Sequence, residues 1–167
     1  MDNIILIGFM GSGKTTIGKY MEKCGYSFID TDEFIEAQEQ DSISNIFATK
    51  GEDYFRNLET ECIQLLIGNN TSDSVISVGG GLPMKSVNQQ LLKELGKVVY
   101  LRANADTLVN RLIGDTKRPL LQGGDLREKI TSLMNKREST YEAVADVIVD
   151  TDNCPAHKVY DRIKERL

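Results

Sequence analysis

Short apolar runs rich in β-branched residues recur along the chain at 4–7, 26–29, 75–78, 98–101 and 147–149, and longer stretches between them carry apolar residues at helical spacing. The runs lack the alternation of a half-exposed strand, so each is expected to be buried on both faces, the habit of parallel strands. The intervening stretches predict helices over 14–23, 32–40, 52–67, 84–95, 104–113 and 125–143, with a last one over 156–166. Regular alternation of strand and helix predicts a three-layer α/β fold, a parallel sheet covered on both faces by helices. Ligands of such sheets gather at the carboxyl ends of the strands, so the chemistry is expected just after each apolar run.

At 167 residues the chain suits one domain, able to bury roughly 70% of the surface its unfolded form exposes, so neither a disulfide nor a structural metal is required. It contains no internal repeat, low-complexity tract or linker rich in Pro, Gly and Ser. The formal net charge of −5 argues against nucleic acid as a partner, because that affinity rests on Lys and Arg neutralising phosphates. The run at 4–7 is too short for a secretory segment or a membrane span, which predicts a soluble, cytoplasmic protein. Cys24, Cys62 and Cys154 are odd in number, far apart and form no CxxC, and read as reduced thiols filling small apolar spaces. His157 is the single histidine, which excludes a multi-histidine metal site and places it on the solvated surface of a polar segment. The absence of a long apolar surface stripe favours a monomer.

The first strand runs directly into Gly8-Phe9-Met10-Gly11-Ser12-Gly13-Lys14-Thr15, a full G-x-x-x-x-G-K-[ST] phosphate loop in strand-to-helix context. Gly11 and Gly13 let the backbone wrap closely and aim its N–H groups at phosphate oxygens, and the helix starting near Lys14 adds the positive end of its dipole. Lys14 supplies the charge that bridges the β- and γ-phosphates, and the Thr15 hydroxyl is placed to ligate Mg²⁺.

After the second run come Asp30-Thr31-Asp32-Glu33, on the same sheet edge. Asp30 and Glu33 fit a helix-capping box. A magnesium nucleotide also needs an acid nearby, and the third run is followed by Gly79-Gly80-Gly81 instead of an Asp, which leaves Asp30 as the leading candidate to hold Mg²⁺ through water. Asp32 stands one step further out, where it can accept a hydrogen bond from a substrate hydroxyl. The three glycines remove side chains where a ligand would sit and suggest close backbone approach to a substrate.

Two helices carry charge on apolar faces. In the helix from Leu126, Arg137 falls amid Leu126, Ile130, Leu133, Tyr141 and Val144, and such a charge must either meet an internal carboxylate or project into a cleft to bind an anion. In the helix over 52–67, with Phe55, Leu58, Cys62 and Leu65 as its face, Glu59 lies on the shoulder and Arg56 at the boundary, three residues apart and able to pair. Residues 114–125 hold three glycines and a proline and read as a mobile lid, from which Arg118 can reach phosphates.

Taken in order, the phosphate loop with Thr16-Ile17-Gly18, then Asp30-Thr31-Asp32, Ile46-Phe47-Ala48, Gly51-Glu52, Phe55-Arg56 and Glu59 form one set of motifs. It continues through Gly79-Gly80-Gly81, Arg118-Pro119-Leu120-Leu121, Lys136-Arg137 and Tyr141, and the whole set resembles shikimate kinase over nearly the full chain. The resemblance implies a P-loop NTPase-like fold of the nucleoside monophosphate kinase type, with a five-stranded parallel sheet in the order 2-3-1-4-5 and a lid. It implies one domain over 1–167, with the phosphate loop at 8–15, a substrate-binding region at about 32–60 and the lid at about 114–125. It implies phosphorylation of the 3-hydroxyl of shikimate by ATP with Mg²⁺, a step of chorismate and aromatic amino-acid synthesis. By position, Gly11, Ser12, Gly13, Lys14, Thr15 and Thr16 would bind ATP, Arg111 would lie near adenine with the loop at 152–155, and Arg118 would reach ATP from the lid. Arg56 and Arg137 would clamp the substrate carboxylate, Gly79, Gly80 and Gly81 would approach the ring, and Asp32 would hold its hydroxyls. Thr15 and Asp30 would serve Mg²⁺; Lys14, Asp32 and Arg118 would be the catalytic groups. The alternative is another small-molecule kinase on this core, for gluconate or a nucleoside monophosphate.

Overall fold

The computed structural model describes residues 2–115 and 118–167. Five strands, β1 (Ile4–Ile7), β2 (Ser27–Asp30), β3 (Ser74–Ser77), β4 (Lys97–Arg102) and β5 (Val147–Asp150), lie in the order β2-β3-β1-β4-β5. All four pairings are parallel, with Ile5 of β1 between Ile76 of β3 and Val98 of β4. The helices are α1 (Lys14–Lys23), α2 (Thr31–Glu39), α3 (Ile43–Lys50), α4 (Glu52–Gly68), α5 (Ser86–Leu95), α6 (Ala105–Leu112), α7 (Leu126–Val144) and α8 (Ala156–Arg166), with 3₁₀ turns at Leu82–Met84 and Pro119–Leu121.

Successive strand residues point to opposite faces, and two apolar clusters follow. Ile5, Ile7, Ile76, Val98 and Tyr100 pack beneath α4, α5 and α7 with Phe55, Cys62, Leu92 and Tyr141. Ile4, Leu6, Val75, Val99 and Leu101 pack beneath α1 and α8 with Ile17, Met21, Val159 and Ile163. The central strands are therefore buried on both faces as expected. The edge strands are not: Ser27 is exposed and Phe28 to Asp30 are half-buried, while in β5 Ile148 is half-buried and Asp150 exposed. Each edge strand has one sheet neighbour, and its outer residues meet water. On β5 that outer edge is covered by α8, whose Arg162 donates to the Asp150 carbonyl at 3.2 Å and whose Arg166 donates to the Ile148 carbonyl.

The apolar pattern missed α3. Its two turns hold only Ile43, Ile46 and Phe47 at helical spacing, and its Ser42 N-cap, which accepts from Asn45 N–H at 3.1 Å, was the clearer signal. Cys62 is buried as a core filler, whereas Cys24 is exposed and Cys154 half-buried, so the filler reading fails for Cys24. His157 is exposed. Among the described residues no helix is long and apolar enough to cross a membrane.

Candidate active site

The carboxyl ends of β1, β2 and β3 open into a cavity of about 520 Å³, lined by residues 10–17, Asp30, Asp32, Gly79, Gly80, Arg111, Arg118 and Thr151. A smaller pocket of about 90 Å³ joins it, walled by Ile43, Phe47, Phe55, Pro119 and Leu120 and carrying Arg56, Glu59, Gly81 and Arg137. Met10, Asp32, Gly79, Gly80 and Arg118 line both, so they mark the junction.

The first cavity is built on the phosphate loop. Gly13, the N-cap of α1, has φ 107° and offers no side-chain cap, so the first N–H groups of the helix are left for a ligand. Lys14 folds back over the loop, its Nζ donating to the carbonyls of Gly8 at 2.8 Å and Phe9 at 2.9 Å. Desolvation of the ammonium lowers its pKa to about 8, against the opposing charges of Asp32 and Asp30, so it stays protonated at neutral pH. Thr15 and Thr16 are exposed at the start of α1. Asp30 does act as a cap: its Oδ1 accepts from Asp32 N–H at 2.9 Å and Glu33 N–H at 3.2 Å, while the residue also lines the cavity with Thr15. The capping role is thus present, and the same residue stands at the cavity wall.

The second pocket explains the glycine triplet, because each glycine is faced by a different charged group. A Cβ on Gly79 would lie 2.8 Å from Glu59 Oε2 and 3.0 Å from Asp32 Oδ1; one on Gly80 would lie 3.2 Å from Arg137 Nη1; one on Gly81 would lie 2.6 Å from the Arg56 guanidinium. Tyr141 on α7 holds the Gly80 carbonyl with its hydroxyl at 2.5 Å. Arg56 pairs with Glu59 at 2.7 Å and with Glu52 at 3.2 Å. Arg137 is only 6% exposed and lies 5.8 Å from the Phe9 ring, so it projects into the cleft from the apolar face of α7.

Glu59 needs a correction. The buried face of α4 is Phe55, Glu59, Cys62, Ile63 and Leu66, with Glu59 fully buried in its middle, and Leu65 is 41% exposed. The face is turned toward the pocket, where the acid meets Arg56. Burial pushes the Glu59 carboxyl up to about 7 against the pull of Arg56, and pushes Asp32 up to about 6 with help from Asp30.

Among the described residues, four buried side-chain atoms have no hydrogen-bond partner: Ser12 Oγ, Asp32 Oδ1, Glu59 Oε2 and Arg137 Nη1. All four belong to residues lining the two cavities. An unsatisfied buried polar atom costs about 1–3 kcal/mol, and four together in one crevice are a template for a ligand with hydroxyls and an anionic group.

Arg118, expected in a lid, lines both cavities and is ion-paired with Asp115, whose Oδ1 also accepts the Arg118 N–H at 3.0 Å. Residues 116 and 117 of that segment lie outside the described residues. Arg111 donates to the carbonyls of Gly11 at 2.9 Å and Thr151 at 3.2 Å, so it braces the phosphate loop. Sequence reasoning did not single out Thr151 or the depth of Glu59, and the usable signal for Thr151 was its place just beyond the fifth strand.

A family model described as shikimate kinase matches residues 10–167. Among curated relatives, the shikimate kinase of Persephonella marina is 41% identical over 168 residues, covering 100% of this chain and 99% of its own. That of Moorella thermoacetica is 43% identical over 166 residues, covering 99% and 94%. Among solved structures, the shikimate kinase of Acinetobacter baumannii in complex with shikimate superposes with a TM-score of 0.93 at 34% identity, covering 99% of this chain and 92% of that one.

Proposed function

The chain belongs to the shikimate kinase family, and from that premise we propose which of its residues carry the reaction. The activity is transfer of the γ-phosphoryl group of ATP to the 3-hydroxyl of shikimate, giving shikimate 3-phosphate and ADP. The larger cavity takes the nucleotide and the smaller one the acceptor, which brings the two reactants together at Asp32, Gly79 and Gly80. The observation that carries this assignment is the buried, unpartnered Nη1 of Arg137 opposite the unpartnered oxygens of Asp32 and Glu59, with glycines between. Arg137 and Arg56 clamp a carboxylate with charge-assisted hydrogen bonds, and Asp32 takes ring hydroxyls from the other end.

Residues 11–16 hold the phosphates, and Arg111 stands where the base would lie. Lys14 and Arg118 neutralise charge on the transferring group, which for phosphoryl transfer is most of the catalytic work. Asp32 orients the 3-hydroxyl and accepts its proton at Oδ1. Arg118 leaves Asp115 to reach the nucleotide, and Pro119 and Leu120 exclude water from the acceptor. A hydroxyl and carboxylates beside a phosphate cradle suit Mg²⁺, which prefers few protein oxygens and keeps waters. Thr15, and Asp30 through water, would hold that ion, which would supply positive charge against the phosphates. We place these functions in one domain over 1–167, in a cytoplasmic monomer.

The test is ADP release from Mg-ATP with shikimate, gluconate and nucleoside monophosphates supplied separately. Shikimate alone is expected to support turnover, and its failure to do so overturns the assignment.

A further inference from the structure

Thr151 is outside the groups assigned above, yet its hydroxyl ties the phosphate loop to the far half of the sheet. It directly follows β5, is 3% exposed, and its Oγ1 donates to the Ser12 carbonyl at 2.9 Å, joining positions 139 residues apart. Its own N–H donates to the Arg102 carbonyl at the end of β4 at 2.8 Å, which fixes the backbone from which the hydroxyl reaches. A second acceptor for the hydroxyl, the Arg102 carbonyl, lies farther off at 3.3 Å, so the single proton goes to Ser12. The Thr151 carbonyl in turn accepts from Arg111, whose other nitrogen holds the Gly11 carbonyl. Two consecutive carbonyls of the loop are thus gripped from outside it.

The consequence follows from the geometry of the peptide unit. A trans peptide is planar, so its N–H points opposite to its C=O. Drawing the Ser12 carbonyl toward β5 turns the N–H of Gly13 the other way. Gly13 is the residue at which α1 begins with no side-chain cap, and a polyphosphate needs its donors pre-aimed there. We propose that Thr151 is a positioning residue of the kinase reaction, its hydroxyl holding the Ser12–Gly13 peptide so that the Gly13 N–H faces the polyphosphate of the nucleotide. This rests on the kinase reading above and deepens it, assigning Thr151 to the phosphates and to neither adenine nor the acceptor.

The experiment uses the full-length protein and compares wild type with Thr151→Val, which keeps the shape and loses the donor, and Thr151→Ser, which keeps the donor. Turnover by the wild type with Mg-ATP and shikimate checks the kinase reading separately. In Thr151→Val the ATP KM and the inhibition constant of inorganic tripolyphosphate are expected to rise together by about 10- to 150-fold, as a misdirected donor to a charged group would require. The shikimate KM stays at the wild-type value, and Thr151→Ser recovers most of the nucleotide affinity. Unchanged ATP KM overturns the proposal. So does loss of ATP with tripolyphosphate unaffected, which would move Thr151 to the base, and so does parallel loss of ATP and shikimate with a lower melting temperature. Should Thr151→Val yield no folded protein, Thr151→Ala is read by the same criteria.

Discussion

Replacing Arg137 by Met removes a guanidinium and keeps an unbranched side chain of similar reach. In the acceptor complex the loss is large, since truncating one partner of a buried charged pair costs about 2–5 kcal/mol, or roughly 30- to 4,000-fold in affinity. In the ligand-free enzyme opposing effects nearly cancel. Removing the unsatisfied Nη1 relieves about 1–3 kcal/mol. Against that stands the lost contact with the Phe9 ring, about 0.5–1 kcal/mol. The balance lies within about 2.5 kcal/mol of zero, so the ligand-free melting temperature is expected within about 10 °C of wild type for a chain of this length. Differential scanning fluorimetry with and without shikimate, calorimetric ATP binding without shikimate, and steady-state kinetics read the three quantities. The variant is expected to lose its shikimate-induced thermal shift and raise its shikimate KM at least about 30-fold, with ATP binding retained. A ligand-free melting temperature lower by more than about 10 °C, or equal loss of ATP and shikimate, refutes the reasoning and makes Arg137 a structural residue.

Asp32→Asn is expected to leave nucleotide affinity nearly intact and to lower kcat by about 100-fold or more, as loss of a proton acceptor does, and an unchanged kcat removes Asp32 from the mechanism. The carboxyls of Asp32 and Glu59 are raised to about 6 and about 7, so their ionisation opposes folding: their contribution favours the fold below the ordinary carboxylate range and is lost as pH rises through those values. Ligand-free wild type should therefore gain thermal stability relative to an Asp32→Asn, Glu59→Gln double variant as pH falls from about 7.5 to about 5. The acid limb of kcat/KM for shikimate should lie in the same window, and a limb near pH 4 contradicts both shifts. Gly79→Ala would put a methyl 2.8 Å from Glu59 Oε2 and 3.0 Å from Asp32 Oδ1, in the space proposed for the acceptor. A strong rise in shikimate KM with ATP binding kept is expected there, and a silent substitution shows that the acceptor lies elsewhere.

The parallel core was legible because β1 and the centre of β4 are apolar runs and β3 carries Val75 and Ile76 between two buried serines, the habit of strands covered on both faces. The edges were not, since the same kind of residues in β2 and β5 meet helices on one side and water on the other, which only the strand order decides. The phosphate loop, the glycine triplet and Arg137 could be read because each violates a local rule: too many glycines, or a charge on an apolar stripe. Glu59 was half legible, as a helical shift of one position separates a shoulder from a buried centre. Thr151 carried no local anomaly. Its role exists only because β5 lies beside the loop in space, 139 residues from Ser12.

The two arginines of α8 that cover β5 bear on how this protein meets its own copies. An unpaired strand edge offers a row of backbone acceptors to any extended segment that drifts against it, and edge-to-edge pairing is the common route to aggregation. Here the outward carbonyls of Ile148 and Asp150 are already taken by guanidinium groups. An incoming strand would have to displace two cations before it could use those acceptors, so this side of the sheet is a poor template, and shortening α8 ahead of Arg162 would free them.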